Sequence, residues 1–387
     1  HVRVLSERLK EQGLVVVFEP DLGLLRAVME RVDMTPWLVR ANVVFVTRED
    51  DSPAIAEATR GFETMLTLGT QLVAHPPSVA RLGDRSKVFV DTFMGVLKAA
   101  RTHIVTSLVQ TEITLRNLLQ NLDHYTGSPG IEDLKDRCLG KPAIVVSAGP
   151  SLARTIEQLA ASGVRDRFVI VAAQTVLKPL LARGIKPHFV TALDHHEISR
   201  RFYEGLTPTD VEGVTLIAEA KANAAILDSF PGLIRCCADE VLDRVLGPQF
   251  ARSRGKLPPG ATVAHLAYYV ARHLGCNPVI MTGQDLGFTD GQYYAAGATI
   301  HNVWGCELNE FNTLEMMEWE RIARMKSTLR KVADQLGRPI YTDEQMHTYL
   351  VQFERDFAKD EASGLTTIDA TEGGVAKRHT IIRTMME

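Results

Sequence analysis

The sequence predicts an α/β fold built on a mostly parallel sheet, and two observations carry this prediction. From Ala143 onwards, short apolar segments rich in β-branched residues alternate with helix-like segments. Uninterrupted apolar strands are typical of parallel sheets that helices cover on both faces. Small or polar residues follow each predicted strand, as they do at the edge of such sheets where ligands bind. The sequence therefore also predicts where a site should lie.

Composition limits the class of protein. The 387 residues carry a net charge of −4, which argues against a dedicated nucleic-acid binder. The five cysteines show no C-x-x-C spacing, so we expect reduced thiols and a cytoplasmic location. No apolar run approaches the roughly 20 residues of a membrane-spanning helix. The chain begins at His1 without a signal-like segment, which suggests a piece of a larger protein.

The length predicts two or three domains. Residues 1–128 are predicted to form an α/β fragment with connecting helices, and the turn-rich Thr126–Gly130 is the predicted linker. Residues 129–305 should form the central domain, and residues 306–387 a helical region. The predicted elements of the first part are strands at Leu14–Phe18 and Val43–Val46, and helices at Leu22–Val32, Val88–Ala100 and Ile104–Leu122.

The central part shows the most regular pattern of strands and helices. Its predicted strands are Ala143–Val146, Arg167–Ala173, His188–Leu193, Val214–Ala218 and Pro278–Thr282. Helices are predicted at Leu152–Leu159, Leu177–Arg183 and Thr262–Leu274. The sheet should be parallel, with helices on both faces.

The C-terminal part is predicted to be helical. Apolar residues at helical spacing predict one long amphipathic helix over Phe311–Leu336. A second helix is predicted at Thr342–Phe357, with Thr342 or Asp343 as its N-cap. The segment Thr367–Gly374 is predicted to be a flexible polar loop that closes over a cleft.

The turn after the first central strand is the main candidate for ligand binding. Gly149, Pro150 and Ser151 separate the strand from a helix that begins at Leu152, a geometry that presents backbone N–H groups to an anion. A tight turn without a ligand has the same sequence. One glycine does not satisfy the G-x-G-x-x-G pattern, and no Gly-Lys-Ser/Thr follows, so NAD and Walker-type ATP sites are disfavoured.

Further candidates follow the other strands. Gln174 and Asp194 follow the second and third strands, and Gln284 and Asp285 follow the fifth. Asp194 is suited to ribose hydroxyls or to a Mg²⁺ ion shared with phosphates, whereas a metal site built from Asp194–Glu197 is disfavoured because adjacent histidines point apart.

Three residues of the downstream segments complete the candidate set. Thr262 begins a second helix that can face the same cleft. Tyr294 and His301 are candidate hydrogen-bond or proton donors to a leaving phosphate, with an ordinary packed aromatic loop as the alternative.

Several motifs in order resemble the motility-associated (Maf) flagellin glycosyltransferases, which share a domain with 6-hydroxymethyl-7,8-dihydropterin pyrophosphokinases. The resemblance is clearest from Lys141 to Gly297. The motifs are Val146-Ser-Ala-Gly-Pro-Ser-Leu152, Ile185-Lys-Pro-His-Phe-Val-Thr-Ala-Leu-Asp194, Gly260-Ala-Thr-Val-Ala-His-Leu-Ala267, Leu274-Gly-Cys-Asn-Pro-Val-Ile-Met-Thr-Gly-Gln-Asp-Leu-Gly-Phe-Thr-Asp-Gly291 and Asp369-Ala-Thr-Glu-Gly-Gly374.

This resemblance implies a Rossmann-like domain similar to the bacterial sialyltransferases that use CMP-sialic acid. It assigns Gly149, Pro150, Ser151 and Leu152 to the donor loop. It places Gln174 and Asp194 at the nucleotide, Thr262 at the phosphate-facing helix start and Tyr294 at the leaving phosphate. His301 is the candidate for the catalytic histidine, although the motifs do not mark it.

The chain departs from the sialyltransferase pattern at three positions of the expected site. Ser147 replaces the first glycine of the donor loop, and Gln174 and Asp194 replace asparagines. A carboxylate at Asp194 near an anionic donor favours a ribose contact or a bridging cation.

Three functions follow as hypotheses from the resemblance and the strand-end residues. The first is a glycosyltransferase that moves a nonulosonic (sialic-like) acid from a CMP donor to Ser or Thr of flagellin. The second is a pterin pyrophosphokinase that uses ATP, with Mg²⁺ at Asp194 and Asp285. The third is a non-catalytic flagellin-binding assembly factor.

Overall fold

The computed structural model describes residues 1–9, 13–249, 252–295, 297, 301 and 304–387, without the side chains of 102, 103 and 105–110. The chain forms two compact units, His1–Glu112 and Ile113–Glu387. The three-part division predicted from the sequence, with boundaries at 128/129 and 305/306, stays a prediction. None of the helices in the described residues is long and apolar enough to cross a membrane.

The first unit contains a two-stranded parallel sheet and several helices. Strands β1 (Leu14–Phe18) and β2 (Asn42–Val46) pair in register along five residues each. The helices are α1 (Val2–Leu9), α2 (Leu22–Arg31), α3 (Thr35–Leu38), α4 (Ser52–Ala58), α5 (Glu63–Leu68), α6 (Pro76–Leu82) and α7 (Asp84–Gln120). Helix α7 is continuous across the two helices predicted at Val88–Ala100 and Ile104–Leu122, and its last residues belong to the second unit.

The second unit is organised around an eight-stranded parallel sheet. Its strands are β3 (Ala143–Val146), β4 (Val169–Ala173), β5 (Phe189–Ala192), β6 (Thr215–Ala218), β7 (Leu233–Cys236), β8 (Val279–Thr282), β11 (Thr367–Asp369) and β12 (Ile381–Ile382). They lie in the order β12-β11-β8-β3-β4-β5-β6-β7, and all pairs are parallel. The predicted mostly parallel, Rossmann-like α/β fold is therefore confirmed.

Helices and a short hairpin complete the second unit. The helices are α8 (Leu122–Gly127), α9 (Leu152–Leu159), α10 (Val164–Arg167), α11 (Leu177–Leu181), α12 (Ala224–Ser229), α13 (Glu240–Leu246), α14 (Val263–His273), α15 (Leu314–Arg324) and α16 (Glu344–Ala362). The hairpin strands are β9 (Arg330–Ala333) and β10 (Pro339–Thr342). The N-cap of α16 is Asp343, whose carboxylate accepts the N–H of Met346.

The central strands are apolar because both sheet faces are covered. Val145, Val171 and Met281 point to one side and pack into a core that contains Tyr268 and Phe353 from α14 and α16. Ile144, Val146 and Ile170 point to the other side, into a core with Leu152 and Ile156 of α9. Alternate residues of one strand thus enter opposite cores, which explains why β3 and β4 are apolar throughout.

Two predictions for the C-terminal part are wrong. The long helix predicted over Phe311–Leu336 ends at Arg324, and the chain then forms the β9–β10 hairpin. The segment Thr367–Gly374 is not a flexible polar loop, because Thr367–Asp369 is the strand β11, which pairs with β8 inside the sheet. Its side chains Thr367, Asp369 and Thr371 are buried.

The strand order fixes where a ligand-binding crevice is expected. The chain proceeds from β3 outwards through β7 and then returns to the other side of β3 with β8. Open parallel sheets bind ligands at the carboxyl ends of their strands, where the order reverses. In this unit the reversal lies between β3 and β8, at the Gly149–Ser151 loop and the turn at Gly283–Asp285.

Candidate active site

The loop after β3 is held closed by the turn after β8. The Gly149 N–H donates to the carbonyl oxygen of Gly283 at 2.7 Å. The Ser151 hydroxyl donates to Asp285 Oδ2 at 2.6 Å, and the Ser151 N–H also points at this carboxylate. A Cβ atom on Gly149 would lie 2.0 Å from Asp285 Oδ2, so only glycine fits. The two strand ends at the reversal point are therefore locked together.

Asp285 is the centre of this lock. Its carboxylate also accepts the hydroxyl of Thr289, and its backbone carbonyl accepts the N–H of Val375 from the segment after β11. Burial raises the pKa of the Asp285 carboxyl, an effect that the hydrogen bonds from Ser151 and Thr289 oppose. Asp285 is only 2% exposed, and both oxygens of its carboxylate accept hydrogen bonds from the protein. Asp285 thus connects the loop after β3, the turn after β8 and the segment after β11.

The candidate ligand residues of this loop are largely internal. Ser151 and Leu152 are buried, with exposed fractions of 0% and 2%. Gln284 is also buried, and its Oε1 finds no hydrogen-bond partner among the described residues. Pro150 has no N–H, and those of Gly149, Ser151 and Leu152 are bonded within the protein. Their contact with a ligand stays a prediction.

Gln174 and Asp194 are brought together as their strand positions predict. Gln174 Nε2 donates to Asp194 Oδ2, which also accepts the hydroxyl of Ser199 at 3.1 Å. The buried Tyr203 hydroxyl donates to Gln174 Oε1 at 3.1 Å. Both the Nε2 and the Oε1 atom of Gln174 are therefore hydrogen-bonded. Gln174 in turn holds the half-buried Asp194 carboxylate at the carboxyl edge of β4 and β5.

Thr262 caps α14 at the same edge. Its hydroxyl accepts the N–H of His265 and bonds the His265 ring at Nδ1, 2.8 Å away. The Thr191 hydroxyl of β5 donates to the carbonyl of Val263, which fixes the helix start near the end of β5. Burial lowers the pKa of His265 to about 3, so this ring is neutral and packs flat on Phe353. Thr262 has a clear structural role, and a phosphate contact stays a prediction.

Tyr294 and His301 lie in the segment that follows β8. The Ala295 N–H donates to the carbonyl of Ala148, so this segment runs beside the loop after β3. His301 is buried, and its Nε2 lies 2.8 Å from Glu318 Oε1. The second oxygen of Glu318 accepts the N–H of Tyr293 at 2.7 Å. The Glu318 carboxylate of α15 therefore connects the segment that carries Tyr294 and His301 to the C-terminal part of the chain.

Arg321 of α15 stacks over Tyr293, the first tyrosine of this segment. Arg321 Cζ lies 5.0 Å from the ring centroid of Tyr293 and 5.7 Å from that of Trp304. Burial raises the pKa of the Tyr294 phenol, and the charges of Arg321 and Arg201 oppose this rise, whereas Glu318 and Asp194 add to it. Tyr294 is thus within electrostatic reach of Asp194 and of both arginines.

Sequence reasoning missed Glu318, Arg321 and Arg201. One signal for Glu318 was available: it precedes Ile322 by four residues, so it lies on the apolar face of its own helix. Both residues are buried, at 2% and 0% exposure. A carboxylate on a core-facing stripe needs a partner, and His301 is that partner. The arginines had no comparable signal.

Asp194 and Asp285 differ in how well their carboxylates could bind a Mg²⁺ ion. The Asp285 carboxylate is buried and occupied by Ser151 and Thr289, so it does not fit a metal ion in this conformation. Asp194 is half-buried and has one oxygen engaged with Gln174 and Ser199. No group of three metal-binding side chains occurs in the described part of the chain.

Comparisons with known proteins agree with the motifs. Residues 116–291 match the family described as 6-hydroxymethylpterin diphosphokinase MptE-like. A solved structure, the MAf glycosyltransferase from Magnetospirillum magneticum AMB-1, superposes with a TM-score of 0.61 at 17% identity, over 97% of this chain and 54% of that chain. The chain thus spans about half the length of that relative. No curated protein matches the sequence.

The matched range begins in the last turns of α7 and ends after β8, so it contains the Gly149–Ser151 loop, Gln174, Asp194 and the Asp285 lock. The structural likeness extends beyond it to nearly the whole chain. The recognition made from the motifs is confirmed: the chain carries an MptE-like domain within the fold of a Maf glycosyltransferase.

Proposed function

We propose that this chain is the donor-binding part of a glycosyltransferase that moves a nonulosonic acid from a CMP donor to Ser or Thr of flagellin. The observation that carries the proposal is the group around Tyr294. His301 is buried and hydrogen-bonded to Glu318 of α15, and Arg321 of the same helix stacks over the Tyr293 ring. The segment that carries these tyrosines runs beside the loop after β3, at the strand ends where the fold is expected to bind ligands. The fold of a protein named as a glycosyltransferase supports the same reading.

The chemistry of such a transfer suits these side chains. The bond from the anomeric carbon to the CMP phosphate breaks, and its electron pair leaves with the phosphate, which cations and a phenol stabilise. The acceptor hydroxyl forms the new bond to the anomeric carbon and gives up its proton to a base, for which His301 is the candidate. Gln174 and Asp194 would hold the nucleotide, with the Asp194 carboxylate at the ribose hydroxyls.

A pterin pyrophosphokinase is the second candidate, because the matching family is described as similar to that enzyme; the likeness alone is not evidence of the kinase reaction. That reaction needs ATP with Mg²⁺, for which Asp194 and Asp285 were the expected ligands. Asp285 is locked to Ser151 and Thr289 in this structure, so the pyrophosphokinase would require that lock to open. A non-catalytic flagellin-binding factor would need no nucleotide.

Calorimetry distinguishes the three candidates. The chain is titrated with CMP, a CMP-nonulosonic acid and ATP, each with and without Mg²⁺. Selective binding of the CMP compounds supports the glycosyltransferase, and Mg²⁺-dependent ATP binding supports the pyrophosphokinase. If no nucleotide binds, both enzymes are excluded and the binding factor is what is left.

Asp194→Ala tests the assigned nucleotide contact. Loss of the carboxylate and its charged hydrogen bond should weaken CMP binding by about 10- to 100-fold, which corresponds to roughly 1.5–3 kcal/mol. The control is Asp228→Ala, which removes an exposed carboxylate paired with His124 and should leave affinity unchanged. Equal affinity of the two variants, with unfolding midpoints like that of the unaltered chain, would remove Asp194 from the site.

A further inference from the structure

His301 and Glu318 form a buried acid–base pair, and the geometry of this pair indicates what each side chain does. The two side chains are 9% and 2% exposed, and their Nε2 and Oε1 atoms lie 2.8 Å apart. Glu318 is held from its other oxygen by the backbone N–H of Tyr293 at 2.7 Å. Its helix is anchored by the buried Ile322 one turn further on. The carboxylate therefore cannot turn away from the ring without breaking a second hydrogen bond.

This contact fixes the tautomer of His301. An ionised carboxylate only accepts hydrogen bonds, so the ring nitrogen that faces it must carry the hydrogen. Nε2 of His301 then carries a hydrogen, and the lone pair of the neutral form lies on Nδ1. Nδ1 is buried and has no hydrogen-bond partner among the described residues. A buried ring nitrogen with a free lone pair is costly unless a ligand supplies the missing donor.

Among the described residues, the structure identifies two direct neighbours of the His301 ring. Glu318 of α15 is hydrogen-bonded to it, and the Trp304 ring lies 5.5 Å away between centroids. The Arg321 guanidinium, also from α15, lies 5.7 Å from the Trp304 ring. The Glu318 carboxylate also accepts the N–H of Tyr293, and its charge acts on the Tyr294 phenol.

We infer that Glu318 is a positioning residue and that His301 Nδ1 is the atom that takes the proton of the acceptor hydroxyl. The inference rests on the proposed transfer. As the acceptor oxygen bonds to the anomeric carbon and the bond to phosphate breaks, the hydroxyl proton moves to Nδ1. Glu318 keeps the hydrogen on Nε2 and stabilises the imidazolium that forms, as the carboxylate of a catalytic triad does.

Glu318→Gln tests this role through the pH dependence of transfer. Without the carboxylate the imidazolium loses its counter-charge, so the acidic limb of the pH–rate profile should move to lower pH. The kcat should fall by about 10²-fold or more, within the range of general-base catalysis, and KM for the CMP donor should not change. Glu320→Gln, an exposed carboxylate on the same helix paired with Arg324, is the matched control and should behave as the unaltered chain.

Two further measurements keep the test decisive. The nitrogen NMR shifts of His301 should show one tautomer, with the hydrogen on Nε2, in the unaltered chain and a mixture in Glu318→Gln. Glu318→Asp keeps the charge and should retain the acidic limb with a reduced kcat, which covers the case that Glu318→Gln does not fold.

The outcomes separate this inference from the proposed function. Transfer with the same pH profile and kcat in Glu318→Gln and Glu320→Gln overturns the role of Glu318 while the function stands. An Nδ1–H tautomer in the unaltered chain overturns it as well. Absence of CMP-donor binding and transfer in the unaltered chain contradicts the proposed function itself, and the inference falls with it.

Discussion

Gly149 shows how a single residue is constrained by a contact far away in sequence. The absent side chain leaves room for Asp285, whose Oδ2 would lie 2.0 Å from a Cβ atom, and for the carbonyl of Gly283 at 2.5 Å. Real Cβ atoms do not approach oxygen so closely, and both partners are fixed by the β8 turn. The glycine is therefore required by packing, whatever the loop binds.

Gly149→Ala should destabilise the chain by about 1–3 kcal/mol, because a methyl group must displace a buried carboxylate or a backbone carbonyl. The matched control is Gly127→Ala, where no atom lies within 4 Å of the new Cβ and the residue is helical. That change should be neutral or slightly stabilising. Urea unfolding midpoints measure both. Similar midpoints for the two variants would contradict the lock described at Asp285.

At the level of residues, the sequence predicted positions better than contacts. Gln174 and Asp194 are predicted to follow the second and third strands of the central sheet; the structure shows that these strands are paired and that the two side chains are hydrogen-bonded. The bond of Ser151 to Asp285 spans 134 residues, and no pattern indicates which two strand ends meet so closely. His301 and Glu318 are only 17 residues apart, but no periodic pattern in the sequence indicates that their side chains meet.

Among the elements, β11 is the strand whose formation depends most on pairing with a neighbouring strand. Three residues, Thr367–Asp369, are too short and too polar to be recognised as a strand from their own sequence. They become one because β8 offers an open edge, with Thr367 opposite Val279. The hairpin after α15 has a similar origin, since Asp334 accepts the N–H groups of Leu336 and Arg338 and closes a turn that helical periodicity does not reveal.

Strand β11 also carries a buried ion pair. Lys377 Nζ donates to Asp369 Oδ2 at 2.8 Å, and both side chains are fully buried. The lysine also donates to the carbonyl of Val375, so it ties the segment after β11 back to the strand. Such a pair contributes little net stability when intact, but either member alone is costly.

Lys377→Met should therefore destabilise the chain by about 3–5 kcal/mol, because the Asp369 carboxylate is left buried without its partner. The double variant Lys377→Met with Asp369→Asn should recover much of this loss. Lys256→Met removes the exposed partner of Glu240 and should cost no more than about 1 kcal/mol. Urea unfolding of the unaltered chain, the single variants Lys377→Met and Asp369→Asn and the double variant gives the coupling energy. Strict additivity of the two buried changes would contradict the described pair.

In the whole molecule, the candidate site belongs to one of two units. Every proposed ligand or catalytic residue lies between Gly149 and Glu318, inside the unit Ile113–Glu387. That unit forms three apolar cores from its own side chains, two of which cover the faces of the central sheet. The first unit has its own smaller core around Ile55 and Phe89. Because each core consists of side chains from a single unit, we expect the sheet of the second unit to fold without the first unit.

The fragment Ile113–Glu387 should therefore fold and bind CMP with the affinity of the full chain, within about twofold. The fragment retains Asn117 and Asn121, whose amides donate to backbone carbonyls near Asp194, at His195 and Ala220. Calorimetry on both proteins makes the comparison, and Asp194→Ala should lower affinity by the same factor in each. A folded fragment that fails to bind while the full chain binds would show that residues 1–112 contribute to the site. A fragment that binds CMP equally would place donor recognition in the MptE-like domain and its C-terminal extension.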